Sequence, residues 1–102
     1  LIEFANSLAG KRVKILFGAL KRKDYRGMLQ TLQAGLPEAE LILTTFHYGE
    51  VVAQGDRQDL PYVADYKAYI KEFMDQSSPD EVLFVTGSLY FIAEVRAFLL
   101  EG

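Results

Sequence analysis

Residues 82–90 read VLFVTGSLY, and this stretch decides the fold that we expect. Residues 82–86 comprise four apolar side chains and one threonine, which is typical of a strand buried on both faces of a parallel sheet. Gly87 then allows a sharp turn, and Ser88 is a good N-cap for a helix that starts immediately afterwards. Ligands of open α/β sheets bind where strands end and helices begin, so this turn is a candidate site for an anion.

The composition indicates a globular protein without a basic surface. The chain has 102 residues, of which 50% are hydrophobic and 25% charged, and its formal net charge is -3. General binding of nucleic acid needs a basic face, so we expect none. The apolar runs are far shorter than the roughly 20 residues that span a bilayer, so we expect no membrane segment. The sequence has no cysteine, which excludes disulfides and thiolate metal sites and fits a cytoplasmic location.

Strand and helix patterns alternate along the chain. We expect strands over residues 13–18, 40–45 and 82–86, and helices over residues 1–9, 24–35, from 59 or 60 to 76, and from 88 onward. Pro61 falls in the first turn of the third helix, and a loop precedes it with a short extended piece at 50–53. The apolar stripes of the last three helices include Met28, Met74 and Leu99.

No tight hairpin joins two of these strands. The pattern therefore predicts an α/β fold, a Rossmann-like three-layer domain with a mostly parallel sheet and helices on both faces. Three parallel strands make a thin sheet. The sequence begins with leucine rather than methionine, and the apolar residues over 1–8 already recur at helical spacing, as if the sequence began inside a helix. We therefore expect residues 1–102 to be one domain of a longer chain, with its first strand missing.

Several common catalytic sites are absent from the sequence. It contains neither the G-x-x-x-x-G-K-[ST] phosphate loop nor the G-x-G-x-x-G dinucleotide fingerprint. The expected strand ends carry no carboxylate, which disfavours a receiver domain that binds Mg²⁺. His47 is the one histidine, and we interpret it as a loop residue rather than a base or a metal ligand. These absences weaken the case that the chain alone is an enzyme.

Two loops carry the candidate site residues. Residues 18–24 read GALKRKD, and three cations between a strand and a helix could bind an anion, although spacing alone favours a solvated loop. Residues 86–88 read TGS, and two interpretations of this motif stay open: a helix cap with no further role, or a binding site. Because both loops follow parallel strands, we expect them at the same edge of the sheet. Lys21 and Ser88 in one crevice would suit the carboxylates of an amino acid.

Two motifs resemble one protein family. Residues 17–29 read FGALKRKDYRGML and resemble the FGALKDKD…ML segment of the folylpolyglutamate synthases and dihydrofolate synthases. Residues 85–96 read VTGSLYFIAEVR and resemble the terminal VTGSLYLVGEVR of the same family, and residues 43–46 fit its middle strand. The resemblance covers essentially the whole chain and implies the Rossmann-like C-terminal domain of these members of the Mur ligase superfamily.

The resemblance also implies an activity for the longer enzyme. Such enzymes use ATP and Mg²⁺ to phosphorylate a folate carboxylate, and the amino group of L-glutamate then attacks the acyl phosphate to form an amide. The central domain supplies the phosphate loop and the metal ligands, so the resemblance implies no cofactor held by this chain itself. The C-terminal domain closes over the central one and helps to hold glutamate, and it is not expected to turn over alone.

By position in the motif, Ser88 resembles the residue that contacts the glutamate carboxylate, with Gly87 beside it. Lys21 is similar to a lysine that related ligases place beside the incoming amino acid. Three further candidates lie in these loops or just after them: Lys23, Asp24 and Tyr90. Arg22 stands where many members have Asp, and no residue is assigned as catalytic. The alternative is a non-catalytic α/β module that binds a partner protein or an effector through the same crevice.

Overall fold

A computed structural model describes residues 11–21, 24–47, 51 and 60–101. Strands and helices alternate in these ranges: β1 (Arg12–Gly18), α1 (Tyr25–Gly35), β2 (Glu40–Thr44), β3 (Tyr62–Val63), α2 (Tyr66–Gln76), β4 (Glu81–Gly87) and α3 (Leu89–Glu101). The strands lie in the order β3-β2-β1-β4, and every neighbouring pair is parallel. The predicted α/β fold is confirmed. The helix expected over residues 1–9 and the extended piece expected at 50–53 fall largely outside the described residues.

The sheet separates two apolar cores, because alternate side chains of a strand point to opposite faces. On one face, α1 covers a core that includes Ile15, Phe17 and Leu43. On the other face, α2 and α3 cover a core that includes Leu16 and Ile42. The connection from β1 to β2 and the connection from β3 to β4 run in opposite directions across the sheet. Right-handed crossovers therefore place α1 and α2 on opposite faces, which gives the predicted three layers.

Strand β1 lies in the interior of the described sheet, between β2 and β4, and its burial differs from that of β4. Ile15, Leu16 and Phe17 are at most 1% exposed, whereas every residue of β4 is half-buried. The expectation that residues 82–86 are buried on both faces is therefore wrong. Within the described residues β4 pairs with β1 alone, so its other side has no neighbour to cover it.

The short strand β3 replaces what was expected to be the first turn of a helix. Tyr62–Val63 pair with the end of β2, and the carbonyl of Pro61 accepts a hydrogen bond from Leu43 N at 2.8 Å. The buried hydroxyl of Thr44 donates to the carbonyl of Val63 at 2.7 Å. Proline is tolerated both at the start of a strand and in the first turn of a helix. Pairing of Tyr62–Val63 with β2 therefore decides that Pro61 precedes a strand.

Aspartates cap the first two helices. Asp24, the predicted N-cap of α1, accepts a hydrogen bond from Gly27 N at 3.0 Å. Asp65 plays the same part for α2, where it accepts from Ala68 N at 3.1 Å. Each cap satisfies one of the backbone donors that a helix leaves unpaired at its start. The third predicted helix therefore begins at Tyr66 rather than at residue 59 or 60.

The helices bury narrower stripes than their sequences predict. Met28, Met74 and Leu99 are 37%, 65% and 48% exposed, so their expected burial is wrong. The described sheet is four strands wide and ends in a two-residue strand, so it covers only part of each apolar stripe. In the described part of the chain, no helix has both the length and the apolar character needed to cross a membrane.

Candidate functional site

The turn between β4 and α3 is built around a glycine. Gly87 has a φ of +119°, a conformation that L side chains rarely adopt, and a Cβ added there would overlap the carbonyl oxygen of Gly18. The same carbonyl accepts a hydrogen bond from Ser88 N at 2.8 Å. The ends of β1 and β4 therefore approach closely, and the sharp turn predicted at Gly87 is confirmed.

Ser88 starts α3, as its predicted cap role requires. Its Oγ accepts a hydrogen bond from Tyr90 N at 3.2 Å, and its carbonyl accepts from Ile92 N at 3.0 Å. A serine hydroxyl has one donor and two acceptor lone pairs, so capping uses only an acceptor. The hydroxyl hydrogen can therefore be donated to a ligand oxygen.

A cavity of about 1200 Å³ opens between this turn and α1. Four of the predicted site residues line it: Asp24, Gly87, Ser88 and Tyr90. Asp24 ends the loop that follows β1, and Gly87, Ser88 and Tyr90 span the turn from β4 into α3. The two strands pair in parallel up to Gly18 and Gly87. The structure thus brings both loops to one edge of the sheet, as expected for the carboxyl ends of parallel strands.

The walls of the cavity are mixed in character. Met28, Ala34 and Leu89 are apolar wall residues, and Gln30 and Thr31 add polar atoms. The described lining residues carry one carboxylate, that of the cap residue of α1, and neither lysine nor arginine. The carboxylate can bind an ammonium group of a ligand, and hydroxyls and backbone N–H groups can donate hydrogen bonds to ligand oxygens.

Lys21 lies at the same edge but is not among the described residues that line the cavity. It is exposed, and it follows Leu20, which is buried and forms an isolated antiparallel bridge with Val51. Lys23 lies outside the described residues. Ser88 therefore lines the cavity and Lys21 does not, so the cleft expected to be shared by the two side chains is not seen among the described lining residues, and the substrate contacts of both stay predictions.

A second polar group lies on the opposite face of the sheet. The carboxylate of Glu94 accepts from the hydroxyl of Tyr66 at 2.6 Å and from His47 N at 3.1 Å. Nδ1 of His47 lies 3.4 Å from the same carboxylate. His47 is a loop residue, as interpreted, but its contact with Glu94 was not predicted. The two residues are 47 positions apart, so no local pattern could reveal the pair.

The contacts of Glu94 shift two pKa values. Burial would raise the pKa of Glu94, but hydrogen bonds from Tyr66 and His47 outweigh burial and hold this pKa below its ordinary value. Burial and the neighbouring carboxylate both raise the pKa of the Tyr66 phenol. The shifts therefore favour a neutral tyrosine that donates to an ionised glutamate.

The lowered pKa of Glu94 predicts a loss of stability in acid. Its contribution is fully present above the unfolded-state pKa, about 4.3, and is lost as pH falls through the lower folded-state pKa. We expect the unfolding free energy of Glu94→Gln to fall less than that of wild type between about pH 6 and pH 3. Urea unfolding across this range measures the slope. Glu101→Gln, on the exposed end of the same helix, should keep the wild-type slope, and an equal slope in Glu94→Gln would contradict the assignment.

Comparison with known proteins finds a bacterial relative. The chain is 29% identical, over 103 residues, to the dihydrofolate synthase/folylpolyglutamate synthase of Bacillus subtilis (strain 168). The match covers 91% of this chain and 22% of the relative, so the chain spans under a quarter of that protein's length. No protein-family model and no solved structure matches the chain. The similarity confirms the resemblance that residues 17–29 and 85–96 indicate.

Proposed function

We propose that this chain is the C-terminal, amino-acid-binding domain of an ATP-dependent ligase that adds L-glutamate to folate. Such an enzyme would work in the cytoplasm, in folate and one-carbon metabolism. The observation that carries the proposal is the match over 91% of the chain to a dihydrofolate synthase/folylpolyglutamate synthase. The cavity beside the TGS turn supports it, because this cavity opens at the sheet edge where α/β proteins bind ligands. As one domain of a longer enzyme, the chain alone is expected to be inactive.

In this proposal, the cavity between α1 and the β4–α3 turn receives the incoming glutamate. The hydroxyl of Ser88 donates to a glutamate carboxylate, and Gly87 lets the backbone approach it closely. Asp24 offers its carboxylate to the ammonium group, and Tyr90 contributes to the wall of the cavity. Lys21 would add positive charge at the mouth, where long-range attraction raises the local concentration of an anionic substrate.

The folate carboxylate is activated before glutamate attacks it, and ATP and Mg²⁺ would be bound by the rest of the enzyme. Within the described residues, no three His, Asp or Glu side chains come together as metal ligands would. Because the resemblance places the metal ligands in the central domain, we assign no step through the metal to this domain. When bound, ATP supplies the phosphoryl group that makes the acyl phosphate. Folate, glutamate and ATP would meet between this domain and a central ATPase domain, with no nucleic acid or membrane as a partner.

Replacing Ser88 by alanine in the full-length enzyme should raise the KM for glutamate about tenfold to a hundredfold. This range corresponds to losing a hydrogen bond to a charged group, about 1.5–3 kcal/mol. The KM for ATP should stay within about twofold of wild type, since ATP binding is assigned to another domain. Steady-state kinetics with each substrate varied in turn measures both constants.

Two control variants accompany Ser88→Ala. Ser88→Thr keeps both the hydroxyl and the cap and should retain a glutamate KM close to wild type. Asp65→Ala removes the cap of α2, costs about 1 kcal/mol, and should leave the glutamate KM unchanged. An unchanged KM in Ser88→Ala would remove Ser88 from the substrate contacts. A gene whose reading frame lacks an upstream phosphate-loop domain would instead favour the non-catalytic binding module.

A further inference from the structure

The end of β1 meets the first turn of α3 at Gly18. This residue lies opposite Gly87 in the parallel register of β1 and β4, and its carbonyl oxygen accepts the hydrogen bond from Ser88 N at 2.8 Å. Gly18 is buried and is not among the described residues that line the cavity. It therefore contacts the turn that carries Ser88 without lining the proposed glutamate site itself.

The missing side chain of Gly18 makes room for an aromatic ring of α3. A Cβ at Gly18 would lie 2.7 Å from Cγ of Phe91 and 2.9 and 3.0 Å from its two Cδ atoms, whereas ordinary contact begins near 3.4 Å. Cγ of Phe91 is bonded directly to Cβ, so it moves aside only if the side chain changes rotamer or the helix itself shifts.

The packing around Phe91 opposes a change of rotamer. Its side chain is fully buried, and its ring centroid lies 5.1 Å from that of Phe46 and 5.5 Å from that of Tyr66. Close-packed interiors have few voids into which a ring could turn. A methyl group at Gly18 would therefore push the first turn of α3 away from the end of β1.

Phe91 and Ser88 belong to the same turn of α3. The Oγ of Ser88 accepts from Tyr90 N at 3.2 Å, and its carbonyl accepts from Ile92 N at 3.0 Å. These hydrogen bonds tie Ser88 to the turn that contains Phe91, so a shift of the ring is passed on to the serine hydroxyl. Gly18 thus holds Ser88 in two ways, because its carbonyl binds the amide and its lack of a side chain seats the ring.

We propose that Gly18 is a positioning residue for the amino-acid substrate, because it sets the place of the Ser88 hydroxyl through the ring of Phe91. This inference rests on the proposed function, in which that hydroxyl donates to a glutamate carboxylate. The strength of a hydrogen bond depends on its distance and angle, and a misplacement of about 1 Å can cost about a hundredfold. The closest approach at Gly18 falls about 0.7 Å short of ordinary contact, so the effect of a methyl group there should be near tenfold.

Gly18→Ala in the full-length enzyme should raise the KM for glutamate about tenfold, with kcat and the KM for ATP within about twofold of wild type. Ile70→Ala is the control for a general loss of stability. Ile70 is buried in the same core but lies on α2, so its truncation should destabilise the enzyme and leave the glutamate KM unchanged. Steady-state kinetics and thermal unfolding measure both properties. An unchanged glutamate KM in Gly18→Ala, or an equal rise in both variants, would overturn the inference.

A second substitution tests whether the effect passes through the ring. Gly18→Ala/Phe91→Leu makes room for the methyl group, so its glutamate KM should return to within about threefold of wild type although the double variant stays less stable than wild type. A KM that stays high would overturn the inference. If Gly18→Ala alone does not fold, the double variant is compared with Phe91→Leu. Equal glutamate KM values are then expected, and a tenfold higher KM in the double variant would contradict the role of the ring.

Hydrogen–deuterium exchange of the full-length enzyme gives a readout besides activity. The Ser88 amide donates to Gly18, so it should exchange at least about tenfold faster in Gly18→Ala and near the wild-type rate in the double variant. If this pattern appears but the glutamate KM of Gly18→Ala is unchanged, Gly18 does not position the substrate contact and the ligase assignment stands. If the wild-type enzyme does not ligate glutamate, the proposed function fails, and with it the substrate role of Gly18.

Discussion

Gly87→Ala is expected to lower the free energy of unfolding by about 3 kcal/mol or more. Two effects add at this position. A φ of +119° is strained for any residue with a Cβ, and the new methyl group would overlap the backbone carbonyl of Gly18. The carbonyl can move only if β1 and β4 separate at their ends, which would break the hydrogen bond from Ser88 N. Urea unfolding followed by circular dichroism measures the loss, which is a large part of the roughly 5–15 kcal/mol typical of a domain.

Gly27→Ala is the matched control for this prediction. A Cβ at Gly27 would also meet a close neighbour, but that neighbour is the carboxylate of Asp24 at the end of a side chain. Alanine is favoured over glycine within a helix by about 1 kcal/mol, which offsets a disturbed cap. We expect this variant to stay within about 1 kcal/mol of wild type. Equal losses in the two variants would show that the turn at Gly87 is not the tight approach described above.

Phe91→Ala is expected to destabilise the protein by about 3–5 kcal/mol. Phe91 is fully buried at the centre of the core that α2 and α3 share. Its ring lies 5.1 Å from that of Phe46 and 5.5 Å, edge to face, from that of Tyr66. Removing it would leave a cavity at the point where α3, α2 and the chain leaving β2 meet, and close packing allows only partial collapse around such a cavity. Thermal and urea unfolding measure the effect.

Leu99→Ala, on the same helix, is the control for the burial of Phe91. Leu99 is 48% exposed, so its truncation removes little buried surface, and we expect a loss of less than about 1 kcal/mol. If the two substitutions cost the same, the inner face of α3 would not be the one that packs on the sheet.

The sequence alone was sufficient for two strands, two helix starts and one turn, where the signal was local. The apolar runs before Gly18 and Gly87 predicted β1 and β4, because a buried parallel strand is a short continuous apolar segment. Asp24 and Ser88 predicted helix starts, since a short polar side chain satisfies backbone donors within two or three residues of itself. Gly87 predicted a turn, because few other residues adopt its backbone conformation. Because parallel strands end at the same edge of a sheet, the loops that follow β1 and β4 were expected to lie together at that edge.

Tertiary structure decided every feature that depends on which distant segments meet. Pro61 is compatible with a helix or a strand, and pairing of Tyr62–Val63 with β2 selected the strand. The half-burial of β4 follows from its place in the strand order, which a strand's own residues do not encode. The contact of His47 with Glu94 joins residues far apart in the chain through the packing of α3. Local propensity acts over a few residues, whereas burial and side-chain pairing depend on the assembled sheet. This is why the caps Asp24 and Ser88 were predictable and the His47–Glu94 pair was not.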